Sequence, residues 1–266
     1  MSVFSKLVVG LDGSAAAEHA LRWAANRLRE HGELHVVHSG APAPTVPEDV
    51  EVTTIHSRDM APADALIGAA RELDADAIVV GPHGSGLGIG LGSVTKHLLR
   101  ESPVPVIIID GFEPPRSAKA PVVACVGYGD PAQAAAAWAA AYAAEHDLPL
   151  VLLHSVAYRP VFPVDSASDA LASYLGQGVS TEWAMDELKK IGEALHEKHP
   201  DLAISAHVDH RSVIKAVKAA NLAELVVLGK RSDEEFLHVI GTPRLRRLVA
   251  RMAFPTVVVP PDVEVT

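Results

Sequence analysis

Read half against half, this 266-residue chain gives one order of elements twice. The first copy opens Lys6-Leu7-Val8-Val9-Gly10-Leu11-Asp12-Gly13-Ser14, runs through an Ala-rich stretch holding Trp23, and reaches Glu33-Leu34-His35-Val36-Val37-His38-Ser39. The second opens Pro121-Val122-Val123-Ala124-Cys125-Val126-Gly127-Tyr128-Gly129-Asp130, has its own Ala-rich stretch with Trp138, and reaches Leu150-Val151-Leu152-Leu153-His154-Ser155. Later landmarks repeat at an offset of 148 to 150 residues: Ile78-Val79-Val80-Gly81 with Val226-Val227-Leu228-Gly229, Gly92-Ser93 with Gly241-Thr242, and Pro105-Val106-Ile107-Ile108 with Pro255-Thr256-Val257-Val258. A repeat this long predicts two domains, 1–112 and 120–266, each of ordinary single-domain size. The proline-rich, polar stretch Gly111 to Lys119 reads as the linker between them.

Within each half, short runs of Val, Ile and Leu alternate with longer helical patterns. That alternation predicts βαβ units, right-handed crossovers and a parallel sheet covered on both faces. In the first half the strands fall near 6–11, 33–38, 52–56, 76–80 and 105–110, and the helices near 14–31, 62–73 and 93–101. Pro62 suits a first helical turn, where its missing N–H costs nothing. The second half adds an insertion from Ala157 to about Ser180, followed by a helix through Trp183, Met185, Leu188, Ile191 and Leu195. The Ala-rich stretch 132–144 has high helix propensity, and Trp138 and Tyr142 are spaced to pack on each other. The fold class is α/β: two tandem doubly wound domains, each with a five-stranded, mostly parallel sheet.

A formal charge of −10 argues against nucleic acid as a partner, since that affinity rests on clustered Lys and Arg. The single cysteine, Cys125, rules out an internal disulfide and, with its apolar flanks, reads as a buried strand residue in a reducing compartment. No apolar run is long enough to span a membrane, and Met1 to Lys6 enters a strand pattern at once, so a cytoplasmic protein without a membrane partner is expected.

The segment from Gly81 to Ser93 holds six glycines, follows an apolar strand and runs into a helix. Glycine loses more backbone freedom on folding than any other residue, so such a loop needs a compensating interaction. At a strand-to-helix junction an anion supplies one, held by converging N–H groups and the positive end of the helix. The same glycines also suit a plain surface turn. The Walker pattern is excluded because no Gly-Lys-Ser/Thr closes the run, and the dinucleotide fingerprint is excluded because it belongs after the first strand. Asp12 fits an Asx turn at a helix entry equally well, and Ser93 fits an N-cap for a helix starting at Val94. His83 has a solvated reading beside a phosphate-donating one.

Taken together, Val9-Gly10-Leu11-Asp12-Gly13-Ser14, the second strand ending in His38, Ile78-Val79-Val80-Gly81-Pro82-His83-Gly84, Gly92-Ser93-Val94 and Pro105-Val106-Ile107-Ile108-Ile109 resemble the universal stress protein family in its tandem two-domain form. The resemblance implies an adenine nucleotide alpha hydrolase-like fold and a stress-response role. For the first domain it implies an adenine nucleotide, ATP with or without Mg²⁺, held as a regulatory ligand: Asp12 by the ribose or adenine, Ser39 by the adenine, and Gly81, Gly84, Gly92 and Ser93, with His83, around the phosphates. A slow ATPase using the same pocket, and a scaffold that binds no nucleotide, are the alternatives. A homodimer through the edge strands Val104 to Asp110 and Thr256 to Pro260 is also expected.

Two departures from the family pattern bear on the ligand. Seven residues separate Gly84 from Gly92, where the family's G-x2-G-x9-G-[S/T] loop has nine. In the second half Gly229-Lys230-Arg231-Ser232 lacks the second glycine, Asp233, Glu234 and Glu235 place carboxylates where phosphate would sit, and Asp130 aligns with Asp12 only after a one-residue shift. The second domain is therefore expected to bind nucleotide poorly. His196 and His199 lack zinc-protease spacing, His207 and Asp209 share a strand face without a third ligand, and no nucleophile elbow occurs, so neither a metal site nor a catalytic residue is expected.

Overall fold

The valine- and isoleucine-rich runs form strands buried on both faces, as parallel pairing beneath helical crossovers requires. In the computed structural model the described residues are 3–28, 32–39, 45–84, 90–111, 119–127, 130–155, 167–220, 223–230, 246–252 and 254–263, with backbone alone for 57, 58, 130–132, 167–180 and 220. The first half comprises β1 (Lys6–Gly10), α1 (Ala15–Arg27), β2 (Glu33–Ser39), β3 (Thr54–Arg58), α2 (Pro62–Glu72), β4 (Ala77–Val80), α3 (Ser93–Glu101) and β5 (Val106–Ile108). The second comprises β6 (Val122–Cys125), α4 (Asp130–Glu145), β7 (Leu150–Ser155), α5 (Ala167–Lys198), β8 (Ile204–Asp209), α6 (Val213–Ala220), β9 (Leu225–Gly229) and β10 (Thr256–Val259).

These strands form a single ten-stranded sheet in the order β3-β2-β1-β4-β5-β10-β9-β6-β7-β8. Every pairing is parallel except β5 with β10, where Val106, Ile107 and Ile108 oppose Val258, Val257 and Thr256. The duplication is thus visible as two five-stranded runs of mirrored order meeting at their last strands. This overturns one expectation: β5 and β10 are not free edges open to a second copy, because each takes the other as its neighbour. The edges of the sheet are β3 and β8.

Alternation along the strands sends Leu7, Val9, Ala77 and Val79 to one face and Val8, Ile78 and Val80 to the other. The first face is covered by α1, α4 and α5, the second by α2, α3 and α6. Across the boundary between the halves, Phe4 packs on Trp23, Trp138 and Tyr142 with ring centroids 5.4 to 5.9 Å apart. Trp138 and Tyr142 stack as their spacing predicted, 5.6 Å apart. Arg27 lies over the Trp23 ring and pairs with Glu224 of the other half, both side chains largely withdrawn from solvent. Cys125 ends β6 as expected of a strand residue but is half-buried rather than buried, and desolvation pushes its thiol up to about 12.

Two boundaries differ from the sequence reading. β3 lies two residues later than expected, because Thr53 donates from its backbone to Leu34 O and accepts Leu34 N at its hydroxyl, which starts the pairing at Thr54. α5 begins at Ala167, inside the expected insertion. The linker residues 112–118 lie outside the described residues.

Candidate functional site

Because β1 leads to β2 on one side and lies against β4 on the other, the sheet reverses its winding between β1 and β4. Loops leaving the carboxyl ends of two such strands diverge and open a crevice. A cleft of about 410 Å³ lies there, lined among others by Asp12, Ser14, His38, Ser39, Gly81, His83, Gly84, Gly92, Ser93 and Thr95. All seven residues singled out from the sequence, Asp12, Ser39, Gly81, His83, Gly84, Gly92 and Ser93, line this one cleft. Residues 85–89, the middle of the glycine loop, lie outside the described residues.

After β1 the chain turns at Gly13, whose φ of +77° only glycine adopts without strain. Asp12 Oδ1 accepts the Ser14 N–H at 3.0 Å, and Ser14 Oγ accepts Ala17 N–H at 3.2 Å as the N-cap of α1. The Asx turn is therefore real, yet it occupies only one carboxylate oxygen. The other, Oδ2, sits so close to Gly84 that a Cβ there would stand 2.4 Å from it. Gly81 is fixed by packing: a Cβ would meet the Ala16 Cβ at 2.8 Å and its carbonyl carbon at 3.1 Å. Glycine at both positions lets β4's exit loop close onto α1 and onto the carboxylate.

The far end of the loop is tied back by Gly92 N–H, which donates to Pro82 O at 2.8 Å, and by the buried Thr95 hydroxyl, which donates to Gly81 O at 2.9 Å. Ser93 is not the N-cap that its sequence position suggested. Gly92 holds that place, Ser93 is the first helical residue, and no side chain caps α3. The first-turn amides of α3 keep their donor capacity at the cleft.

Ser39 lines the cleft, but its hydroxyl donates to Met60 O at 2.5 Å and so secures the loop after β3. The sequence reading missed two lining residues of note, Thr95 and His38. His38 is only 6 % exposed, and its Nδ1 has no hydrogen-bond partner among the described residues. Its recurrence as His154 was the available signal.

In the second half, His154 Nδ1 hydrogen-bonds the Val126 carbonyl at 2.7 Å and Ser155 Oγ donates to Arg211 O at 2.7 Å. Arg211 grips Asp209 through backbone and guanidinium and holds that carboxyl down at about 2. Lys230 donates to the Arg100 carbonyl across the boundary between halves, and desolvation lowers its pKa. The carboxylates expected to spoil the second loop, Asp233, Glu234 and Glu235, lie outside the described residues, as do Arg231, Ser232, the Gly241-Thr242 landmark and the Asp130 side chain. Among the described residues no group of three or more His, Cys, Asp or Glu side chains is placed to hold a metal ion, and no helix is long and apolar enough to cross a membrane.

The profile of the universal stress protein family matches residues 4–51, 45–110 and 120–260. The chain belongs to this family. Among solved structures, a universal stress protein from Archaeoglobus fulgidus DSM 4304 shares the fold with a TM-score of 0.60 at 14 % identity, covering 97 % of both chains. A putative universal stress protein from Pseudomonas aeruginosa UCBPP-PA14 gives 0.61 at 13 % identity, over 97 % of this chain and 94 % of its own. A functionally unknown protein from Pseudomonas aeruginosa PAO1 gives 0.63 at 12 % identity, over 97 % and 93 %. No curated protein matches the sequence. At these identities the structural likeness speaks for the fold, and both halves of this universal stress protein take part in it.

Proposed function

We propose that this chain is a cytoplasmic stress-response protein whose first domain, 1–112, binds an adenine nucleotide, ATP, as a regulatory ligand, while the second domain, 120–266, binds nucleotide poorly or not at all. The observation that carries this reading is the convergence of Asp12, Gly81, Gly84, Gly92 and the uncapped start of α3 on one cleft at the switch point of the sheet. On this reading the first-turn amides of α3 take the phosphates, and Asp12 Oδ2, left over from the Asx turn, takes a ribose hydroxyl. Ser39 contributes backbone and Cβ surface, its hydroxyl being committed elsewhere. The ligand acts by shifting a conformational or oligomeric equilibrium, which requires different affinity for the two states.

Calorimetric titration of the full chain with ATP in excess Mg²⁺ tests this. One site per chain is expected, weakened about tenfold or more by Asp12→Ala, roughly one charged hydrogen bond. Turnover followed in the same samples separates binding from hydrolysis. Absence of both heat and thermal shift at millimolar ATP would sink the proposal.

A further inference from the structure

We infer that Thr54, at the start of the open edge strand β3, carries an activated hydroxyl that takes an acyl group from esters with a stabilised oxygen leaving group. This site is separate from the nucleotide cleft, which opens at the other end of the strands and is lined by none of its members.

Strand register brings the site together. β2 and β3 pair in parallel with His35 opposite Thr54 and Val37 opposite His56, so alternate side chains of the two strands share one face. Glu33 Oε2 lies 3.0 Å from His35 Nε2, His35 Nδ1 lies 2.6 Å from Thr54 Oγ1, and Thr54 Oγ1 lies 2.8 Å from His56 Nε2. The proton positions are assigned from this chain of contacts. A carboxylate only accepts, so His35 Nε2 carries a proton and its Nδ1 offers a lone pair to the Thr54 O–H. With the hydroxyl proton committed there, His56 Nε2 donates to the hydroxyl oxygen. The order carboxylate, imidazole, hydroxyl is that of an activated nucleophile, here with the hydroxyl rotor fixed by a second imidazole. His35 and Lys6 beside Glu33 hold its carboxyl below the usual carboxylate range, ionised as the relay requires.

The base is sheltered and the nucleophile is open: His35 is 4 % exposed, whereas Thr54 faces solvent. Thr53 N–H bonds inward to Leu34 O, so by alternation Thr54 turns its own N–H and C=O away from β2, and among the described residues no strand lies beyond β3. A backbone donor is thereby left beside Thr54 for the oxygen of a reacting carbonyl. In the transfer, Oγ1 bonds to the carbonyl carbon as its proton passes to His35 Nδ1. The bond from that carbon to the leaving oxygen then breaks, and the oxygen departs with the electron pair and takes the proton from His35. Thr54 ends as its O-acyl ester and His35 as the neutral imidazole. Glu33, which acts through His35, is a positioning residue.

The test treats the full chain with p-nitrophenyl acetate and maps acetyl groups over time by tandem mass spectrometry. Thr54 is expected to label about 100-fold faster than its exposed neighbour Thr53, whose hydroxyl instead accepts Leu34 N–H. His35→Gln is expected to bring Thr54 down to the Thr53 rate. Glu33→Gln, which keeps an acceptor for His35 but no charge, is expected to slow labelling about tenfold or more, with part of the loss recovered in Glu33→Asp. Melting curves check that the variants fold, and the wild-type comparison of the two threonines decides the matter if they do not. Thr54 labelling no faster than Thr53, or labelling unchanged in a folded His35→Gln variant, overturns the inference.

Discussion

His38 and His154 close the second strand of each half, one residue before a serine whose hydroxyl pins the neighbouring loop. Only His154 has its Nδ1 bonded, to the Val126 carbonyl; in the first half the Leu11 carbonyl holds the corresponding place and His38 Nδ1 is left without a partner among the described residues. The framework around them is shared: Leu11 N–H donates to Val37 O as Val126 N–H does to Leu153 O, and Ser39 to Met60 O as Ser155 to Arg211 O. The halves therefore keep the bonds that hold a strand end in place and diverge in the groups beside them. At this position the second half closes its histidine onto its own backbone, while the first has an open cleft beside an unbonded nitrogen. Leaving a buried polar atom unpaired costs about 1–3 kcal/mol, so the two histidines differ in what they contribute to their strand ends.

The largest test of this comparison asks whether the halves are one cooperative unit. Arg27→Met strips the buried Glu224 of its partner and is expected to cost about 3–5 kcal/mol in urea unfolding, with much of that recovered in the Arg27→Met/Glu224→Leu double variant. A transition splitting in two for the wild type would instead show that the halves unfold independently. Next in size, Gly81→Ala drives a Cβ into Ala16 and is expected to cost about 1–3 kcal/mol and to abolish nucleotide heat. Unchanged stability and binding would show that α1 yields easily. A smaller difference compares the histidines directly: His154→Phe, which orphans the Val126 carbonyl, should destabilise by about 1 kcal/mol more than His38→Phe. Equal losses would remove the asymmetry.

The smallest effect is a pH dependence confined to the second half. Asp209 is held at about 2 against an ordinary value of 3.8, so its contribution is complete above the ordinary value and disappears as pH falls through about 2. The stability gap between wild type and Asp209→Asn is expected to close over that interval in acid denaturation. The register places Arg58 opposite this position in the first half, so no matching carboxylate exists there.

Much of this was legible in the sequence. Strands such as Ala77–Val80 are uniformly buried and announce themselves by composition, and Pro62 and Ser14 mark helix starts through local chemistry. The glycines stood out because a close backbone approach demands that residue type, whereas Asp12 was singled out through the family resemblance, its turn chemistry alone being equally consistent with a plain helix entry. What escaped depends on partners distant in sequence. The β5–β10 pairing joins strands about 150 residues apart, and nothing in either apolar run says which neighbour it will take. The Ser39 hydroxyl was read toward a ligand because Met60, its acceptor, is brought near only by the register of β2 with β3. Ser93 was misplaced by one position because an N-cap glycine leaves no side-chain signature.

The antiparallel seam at β5 and β10 has a consequence for how variants of this protein behave. Where such a seam joins separate polypeptides, they can exchange, and a defective copy is diluted by sound ones. Here both contributors come from one translation product, so their dosage is locked at one to one and a lesion in either is never complemented by mixing.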